Sequence, residues 1–312
     1  MGIANHFGLR HFGLRHFAVA GLSLILAGCG ATQSTPPLTS PTDPTVLRIA
    51  SHNVHYIMLG KETGRWSVGD WHRRKRAVDM AFKAIAPDII AFQEMESFRS
   101  GSDGSVNLAR DFLLEENPDY AAAANGDWRT FPSTQPIFYR TDRLTLLDQG
   151  WFFFSDTPDV IYSRTFDGSY PAFASWARFQ PRAPQSAFLV MNIHFEYKSA
   201  FNRERSAALV VDRLATWTDR GEPVILIGDV NARLGSDTIS QLETSGVRFA
   251  PFDGATYHFN VGLNLFNAID HIATTPNISW ANRPLIVRRQ FDGTWPSDHY
   301  PIVLDIRLPK TN

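Results

Sequence analysis

The residues able to do chemistry are scattered along the chain but share a setting. They are Asn53 in Ser-His-Asn-Val, Glu94 in Ala-Phe-Gln-Glu, and His194 in Met-Asn-Ile-His-Phe. Asp229 and Asn231 follow in Ile-Gly-Asp-Val-Asn-Ala, then Asp270 in Ile-Asp-His-Ile, and Asp298 with His299 in Ser-Asp-His-Tyr-Pro. Each group sits where a short apolar run meets a loop, the place where α/β enzymes put their chemistry. Carboxylates, amides and imidazoles in combination suit a hard divalent cation, Mg²⁺ or Mn²⁺, and a phosphate ester.

The elements that must position these groups read as strands alternating with helices. Strands are expected over residues 47–53, 89–93, 137–139, 144–154, 175–179, 188–193, 224–228, 270–274 and 302–307. Helices are expected over 72–85, 107–116 and 202–218. Wholly apolar strands such as Val224-Ile-Leu-Ile imply burial on both faces. Two mixed sheets packed face to face, with helices outside both, satisfy that requirement: an α/β four-layer sandwich. The aromatic run Trp151-Phe-Phe-Phe reads as core strand rather than as a stacking platform.

Three segments are expected. Residues 1–28 carry Arg10 and Arg15 ahead of an apolar run from Phe17 to Ala27, too short to span a bilayer, and so read as a signal peptide. The run ends in Leu-Ala-Gly-Cys29, which resembles a bacterial lipobox and implies cleavage and lipidation at Cys29, the single cysteine in the chain. Residues 29–45, rich in Thr, Ser and Pro, read as a tether. Residues 46–312 read as one domain, because the candidate site draws on both of its ends. The implied location is the cell envelope, lipid-anchored, at the outer membrane and facing periplasm or exterior. The anchor makes the membrane a partner; no protein partner is inferred.

Basic and acidic residues nearly balance, 30 against 31. A dedicated duplex-DNA binder would carry a basic face. The one dense basic run, from His72 to Arg76, falls in a helical stretch and reads as a solvated first turn. With no cysteine beyond Cys29 the domain must hold together by its core, which a 44% hydrophobic composition can supply.

The order of the motifs resembles the endonuclease/exonuclease/phosphatase superfamily, the DNase I-like metal-dependent phosphoesterases, over about 46 to 308. The resemblance implies hydrolysis of a phosphodiester or phosphomonoester by in-line attack of water. Glu94 is the expected metal ligand, with Asn53 holding its carboxylate or a metal water and Asp298 assisting near the metal. Asp229 orients or deprotonates the water, and Asn231 donates to phosphate oxygens. Asp270 fixes the tautomer of His299, which contacts the water or the phosphate. His194 donates to a phosphate oxygen or to the leaving group. Nucleic acid, phospholipid headgroups and small phosphorylated metabolites are the candidate substrates; Phe252, Tyr257 and Phe266 read equally as an apolar cleft rim or as core.

Departures from the family pattern are also legible. His55 stands where many of the nucleases have an aspartate near the metal. The segment Ser133-Thr-Gln-Pro-Ile-Phe-Tyr-Arg140 has no carboxylate where DNase I-like members have a glutamate that orients the first histidine, which implies either a less basic His194 or Glu196 in that role. Ala172 replaces an arginine of a bacterial branch whose aromatic Ser-x-Thr-Pro segment residues 150–158 resemble. Arg203 has two readings of equal weight, a phosphate clamp or a partner for an acid on its own helix.

Overall fold

The structure is a computed structural model that describes residues 38–99 and 105–310. The expected signal segment, Cys29 and the first part of the tether lie outside the described residues. Residues 38–45 do not hang free. Leu38 packs against a core cluster, and Arg48 donates to the carbonyl of Thr39 at 2.7 Å.

Two mixed sheets form the middle of the domain. The first runs β5 (Tyr120–Ala123), β6 (Ile137–Arg140), β3 (Ile89–Gln93), β1 (Val46–Asn53), β15 (Ile302–Arg307), β13 (Ser279–Trp280), with β14 (Leu285–Ile286) also on β15. The second runs β7 (Leu144–Phe153), β8 (Phe173–Pro181), β9 (Phe188–His194), β10 (Val224–Asp229), β12 (Asp270–Thr274), β11 (Arg248–Phe249). A small ribbon pairs β2 (Ile57–Met58) with β4 (Ser97–Phe98). The helices are α1 (Val68–Ile85), α2 (Leu108–Glu116), α3 (Ala200–Thr218) and α4 (Asp237–Glu243).

Strand alternation sorts the apolar residues into three layers. Leu47, Ile49, Ile89, Val190, Ile225, Ile227 and Ile272 point between the sheets. Ala50, Ile90 and Phe92 point outward under α1 and α2, with Ala77, Phe82 and Leu113 against them. Leu189, Met191 and Leu226 point outward under α3 and α4, with Val210, Leu214 and Ile239 against them. Each fully buried Ile, Leu or Phe adds about 1.5–3 kcal/mol of transfer free energy. The expected four-layer architecture is therefore the one observed.

Helix starts differ from expectation for a local reason. Helix α1 begins at Val68 because Ser67 caps it, its hydroxyl accepting from the Asp70 N–H at 3.0 Å. Serine and asparagine caps also start α2 (Asn107) and α3 (Ser199). Of the aromatic run, Phe152 to Phe154 are buried as expected, while Trp151 is half-buried.

Candidate active site

The topology brings the polar motifs to one end. Strands β1 and β3 run parallel, as do β9 and β10, so all four finish at the same edge. Strand β12 is antiparallel to β10 and β15 to β1, so both begin there. Asp229 is in register with both His194 and Asp270. Its side chain has the parity of Ile225 and Ile227, and therefore enters the space between the sheets. Asn53 follows Leu47 and Ile49 by the same rule. The inter-sheet layer thus turns from apolar to polar at this edge.

Beneath the cleft the two sheets are stitched by buried amides. Gln93 donates to Asn192 Oδ1 at 2.7 Å, and Asn192 donates to the Phe92 carbonyl at 2.8 Å. The last residue of β3 is followed by Glu94 in a left-handed conformation, φ 52°. That turn sends its carboxylate to the rim, where Asn53 Nδ2 donates to it at 3.1 Å and the Tyr56 N–H at 3.4 Å. Gly228 has φ 140°, and a Cβ there would sit 1.9 Å from the Ile193 carbonyl oxygen. Only glycine lets β10 approach β9 closely enough to place Asp229 beside His194.

The Oδ2 atom of Asp229 is the hub. Asn53 Nδ2 donates to it at 3.2 Å, and the Nε2 atoms of His194 and His299 each lie 3.8 Å away. Its other oxygen accepts from the Asn231 N–H at 3.0 Å. His194 Nε2 is also 4.0 Å from Glu94 Oε1. His299 Nδ1 is 2.8 Å from Asp270 Oδ2, a buried pair. Six expected residues, Asn53, Glu94, His194, Asp229, Asp270 and His299, are therefore brought into one constellation.

Burial and charge set the protonation states. Burial opposes charging of His299, but Asp270, through charge and hydrogen bond, with Asp229 and Asp298, outweighs it and raises the pKa to about 10. Burial, with the charge of Asp270, raises Asp229 to about 6 against the pull of His299 and His194. Burial acts against ionisation of Asp298, and the nearby His55 and His299 reverse it, holding this carboxyl below the usual range.

Other expected residues are placed differently. Asn231 joins the constellation through its backbone N–H; it has left-handed backbone, φ 50°, and its side-chain Nδ2 donates to the Phe195 carbonyl at 2.9 Å. Arg203 lies at the turn after β9, where its Nη1 donates to the carbonyls of Glu196 and Tyr197 at 3.0 and 3.1 Å and braces the turn. Glu196 does not orient His194. Its carboxylate is taken up by the Ser169 and Lys198 N–H groups at 3.0 and 3.1 Å. Gln135 spends its amide on the Phe173 carbonyl. His55 is buried against Tyr56 and Trp66, with neither ring nitrogen hydrogen-bonded.

Arg74 belongs to the site and was missed by reading the basic run as solvated. It is 2% exposed. Its guanidinium donates to the carbonyls of Val54 at 2.6 Å, His55 at 2.5 Å and Pro296 at 3.0 Å. It straps the loop after Asn53 to the loop before Asp298. The Trp71-x-x-Arg74 spacing was its only sequence signal: the guanidinium lies over the Trp71 ring, 5.2 Å from the centroid.

Two donor sets suit a divalent cation. The buried group of Asp229, Asp270 and His299 could hold one, its ligand atoms all lying within 4.8 Å of one another. The Asp270–His299 hydrogen bond already occupies much of that group. Glu94, whose side chain is 23% exposed, leaves room for the several waters that Mg²⁺ retains.

The family model for the endonuclease/exonuclease/phosphatase family matches residues 50–299. The chain belongs to this family. It is thus a hydrolase of phosphoester bonds. No curated protein sequence matches the chain. Among solved structures, a Bacteroides thetaiotaomicron mannosyl-6-phosphatase is similar at TM-score 0.70 and 24% identity, covering 83% of this chain and 99% of that one. A family protein from the same organism is similar at 0.69 and 23%, covering 84% and 97%. TDP2 from D. rerio, complexed with a single-strand DNA product, is similar at 0.58 and 17%, covering 84% and 99%. At these identities the similarity concerns the fold, which is the family's sandwich.

Proposed function

We propose that this family member is a divalent-metal-dependent phosphoesterase that attacks phosphorus in line with water. The observation that carries the reading is the convergence of Asn53, His194 and His299 on one oxygen of Asp229. A carboxylate with a pKa raised to about 6 is a competent base near neutral pH. Asp229 orients the water and takes its proton. His299, held as an imidazolium by Asp270, donates from Nε2 to a phosphate oxygen as charge builds there. His194, at the cleft side of β9, donates to a second oxygen or to the departing one. Asn53 keeps Glu94 and Asp229 apart and aligned through a single amide nitrogen.

The donor set fits Mg²⁺ or Mn²⁺ at Glu94 and Asn53, with the carboxylate of Asp298 buried near His55 and His299. Such an ion supplies charge neutralisation to the phosphoryl oxygens. A mannosyl-6-phosphatase and a protein holding a DNA product are both among the similar structures, which supports phosphoester hydrolysis and leaves monoester or diester to assay. The sequence around Cys29 supports an extracytoplasmic, lipid-anchored location; Cys29→Ser should abolish fatty-acid labelling.

The test uses metal-stripped protein with Mg²⁺ or Mn²⁺ restored, on p-nitrophenyl phosphate and bis-p-nitrophenyl phosphate, beside His299→Ala. Metal-dependent turnover lost in the variant supports the reading. Turnover that survives chelation, or equal turnover in the variant, would remove it.

A further inference from the structure

One loop beside the cleft is apolar where it should be polar. Residues 255–268, the longer part of the connection from β11 to β12, contain no charged side chain. Of the expected rim residues, Phe252 is core and Tyr257 half-buried, but Phe266 is exposed. Further along the same loop, Phe259, Leu263, Val261 and Leu265 are exposed too, the last two by 64% and 69%. Single exposed apolar residues are ordinary on a protein surface; several on one short loop mark an interaction surface.

The loop is rooted in the catalytic residues. Tyr257 forms a bridge with His299, and their rings lie 5.0 Å apart. His258 donates its N–H to the Asp298 carbonyl at 2.8 Å. The Asp270 N–H donates to Thr256 at 3.2 Å. From Tyr257 the apolar contact continues to Phe259 and on to Phe266. Whatever the loop engages is therefore held next to the site.

Charge on the flanks selects the occupant. Arg65, exposed, donates to the Phe259 carbonyl at 3.3 Å. Arg233, exposed and two residues beyond Asn231, lies over the Phe266 ring, 6.0 Å from its centroid. An uncharged aliphatic tip between two arginines is complementary to an anionic headgroup layer over acyl chains. Bases and sugars favour stacking on aromatic faces; the two most exposed residues of the loop, Val261 and Leu265, are aliphatic, while Phe259 and Phe266 are less exposed and pack on one another.

We propose that this loop docks on an anionic phospholipid surface, inserting its aliphatic tip while Arg65 and Arg233 meet the headgroups, and that the adjacent site acts on phosphoesters borne by that surface. This rests on the phosphoesterase reading. In the reaction a water oxygen bonds to phosphorus, the ester P–O bond breaks, and the alcohol leaves with a proton.

All three cores lie among the described residues from Leu38 on, so the piece from Thr32 onward is used and residues 1–31, being absent, contribute no binding. Sedimentation is measured with vesicles of phosphatidylcholine alone and mixed with phosphatidylglycerol, beside turnover of bis-p-nitrophenyl phosphate. The expected result is binding to the mixed vesicles that weakens with salt. The double variant Val261→Ser/Leu265→Ser should bind at least about tenfold more weakly, and Arg65→Gln/Arg233→Gln should lose the preference for phosphatidylglycerol. All should turn over the soluble ester as the parent does. Absence of vesicle binding by the parent, or equal binding by the serine variant, overturns the proposal. Loss of single-stranded DNA binding in these variants with vesicle binding unchanged overturns it in favour of a nucleic-acid surface. Vesicle binding without turnover of the soluble ester would count against the phosphoesterase reading and keep the lipid surface.

Discussion

His299 and Asp270 are 29 residues apart in the chain and 2.8 Å apart in the fold, Nδ1 to Oδ2, both buried. The pair keeps the ring charged and its Nε2 aimed at Asp229. Asp270→Asn removes the charge that holds the proton and should lower turnover by about 10²–10⁴-fold. Steady-state kinetics at neutral pH, with a far-UV spectrum to show the fold intact, checks this.

The same pair makes stability depend on pH. The folded pKa of His299 is about 10, above its ordinary 6.5. The folded state therefore holds the extra proton, and its contribution is full below about pH 6.5 and drains as pH rises toward 10. Denaturant melts should show stability falling across that window, and His299→Gln should flatten this decline.

With Asp229 as the base, its titration sets the acid limb of activity. Its pKa is raised to about 6, and only the ionised form accepts a proton. The kcat/KM of the parent should rise through about pH 6, whereas Asp229→Asn should be inactive at every pH. An acid limb near the ordinary carboxylate range would assign the base elsewhere.

Arg74 carries a structural charge that the site depends on. Arg74→Leu leaves three carbonyls without a donor and should cost about 2–4 kcal/mol. Arg74→Lys keeps the charge but cannot span Val54, His55 and Pro296 together. It should recover most of the stability and little of the activity, read from melts and turnover in parallel.

Gly228→Ala tests the close approach of β9 and β10. The methyl would meet the Ile193 carbonyl at φ 140°, a conformation that L-residues avoid. The variant should lose about 3 kcal/mol or more, or fail to accumulate as soluble protein. Gly221, where φ is 69° and a Cβ meets nothing within 4 Å, is the control and should cost less.

By itself the sequence, with the family resemblance its motifs carry, determined the order of the main strands and of α1 to α3, the four-layer class and the identity of the constellation from Asn53 to His299, but not α4 or the short strands β2, β4, β5, β11, β13 and β14. These follow from alternation, apolar runs and motif order, all local along the chain. Tertiary structure alone decided what the neighbours do. Arg74 sits in a run of five basic residues that local composition reads as solvated, yet helix packing drives it inward onto three carbonyls. Glu196 and Arg203 are near the site in sequence, but backbone groups reach them first. The exposed loop at 255–268 could equally have been core by composition. Which side of an apolar segment meets solvent is set by what packs on it, and no stretch of sequence carries that information alone.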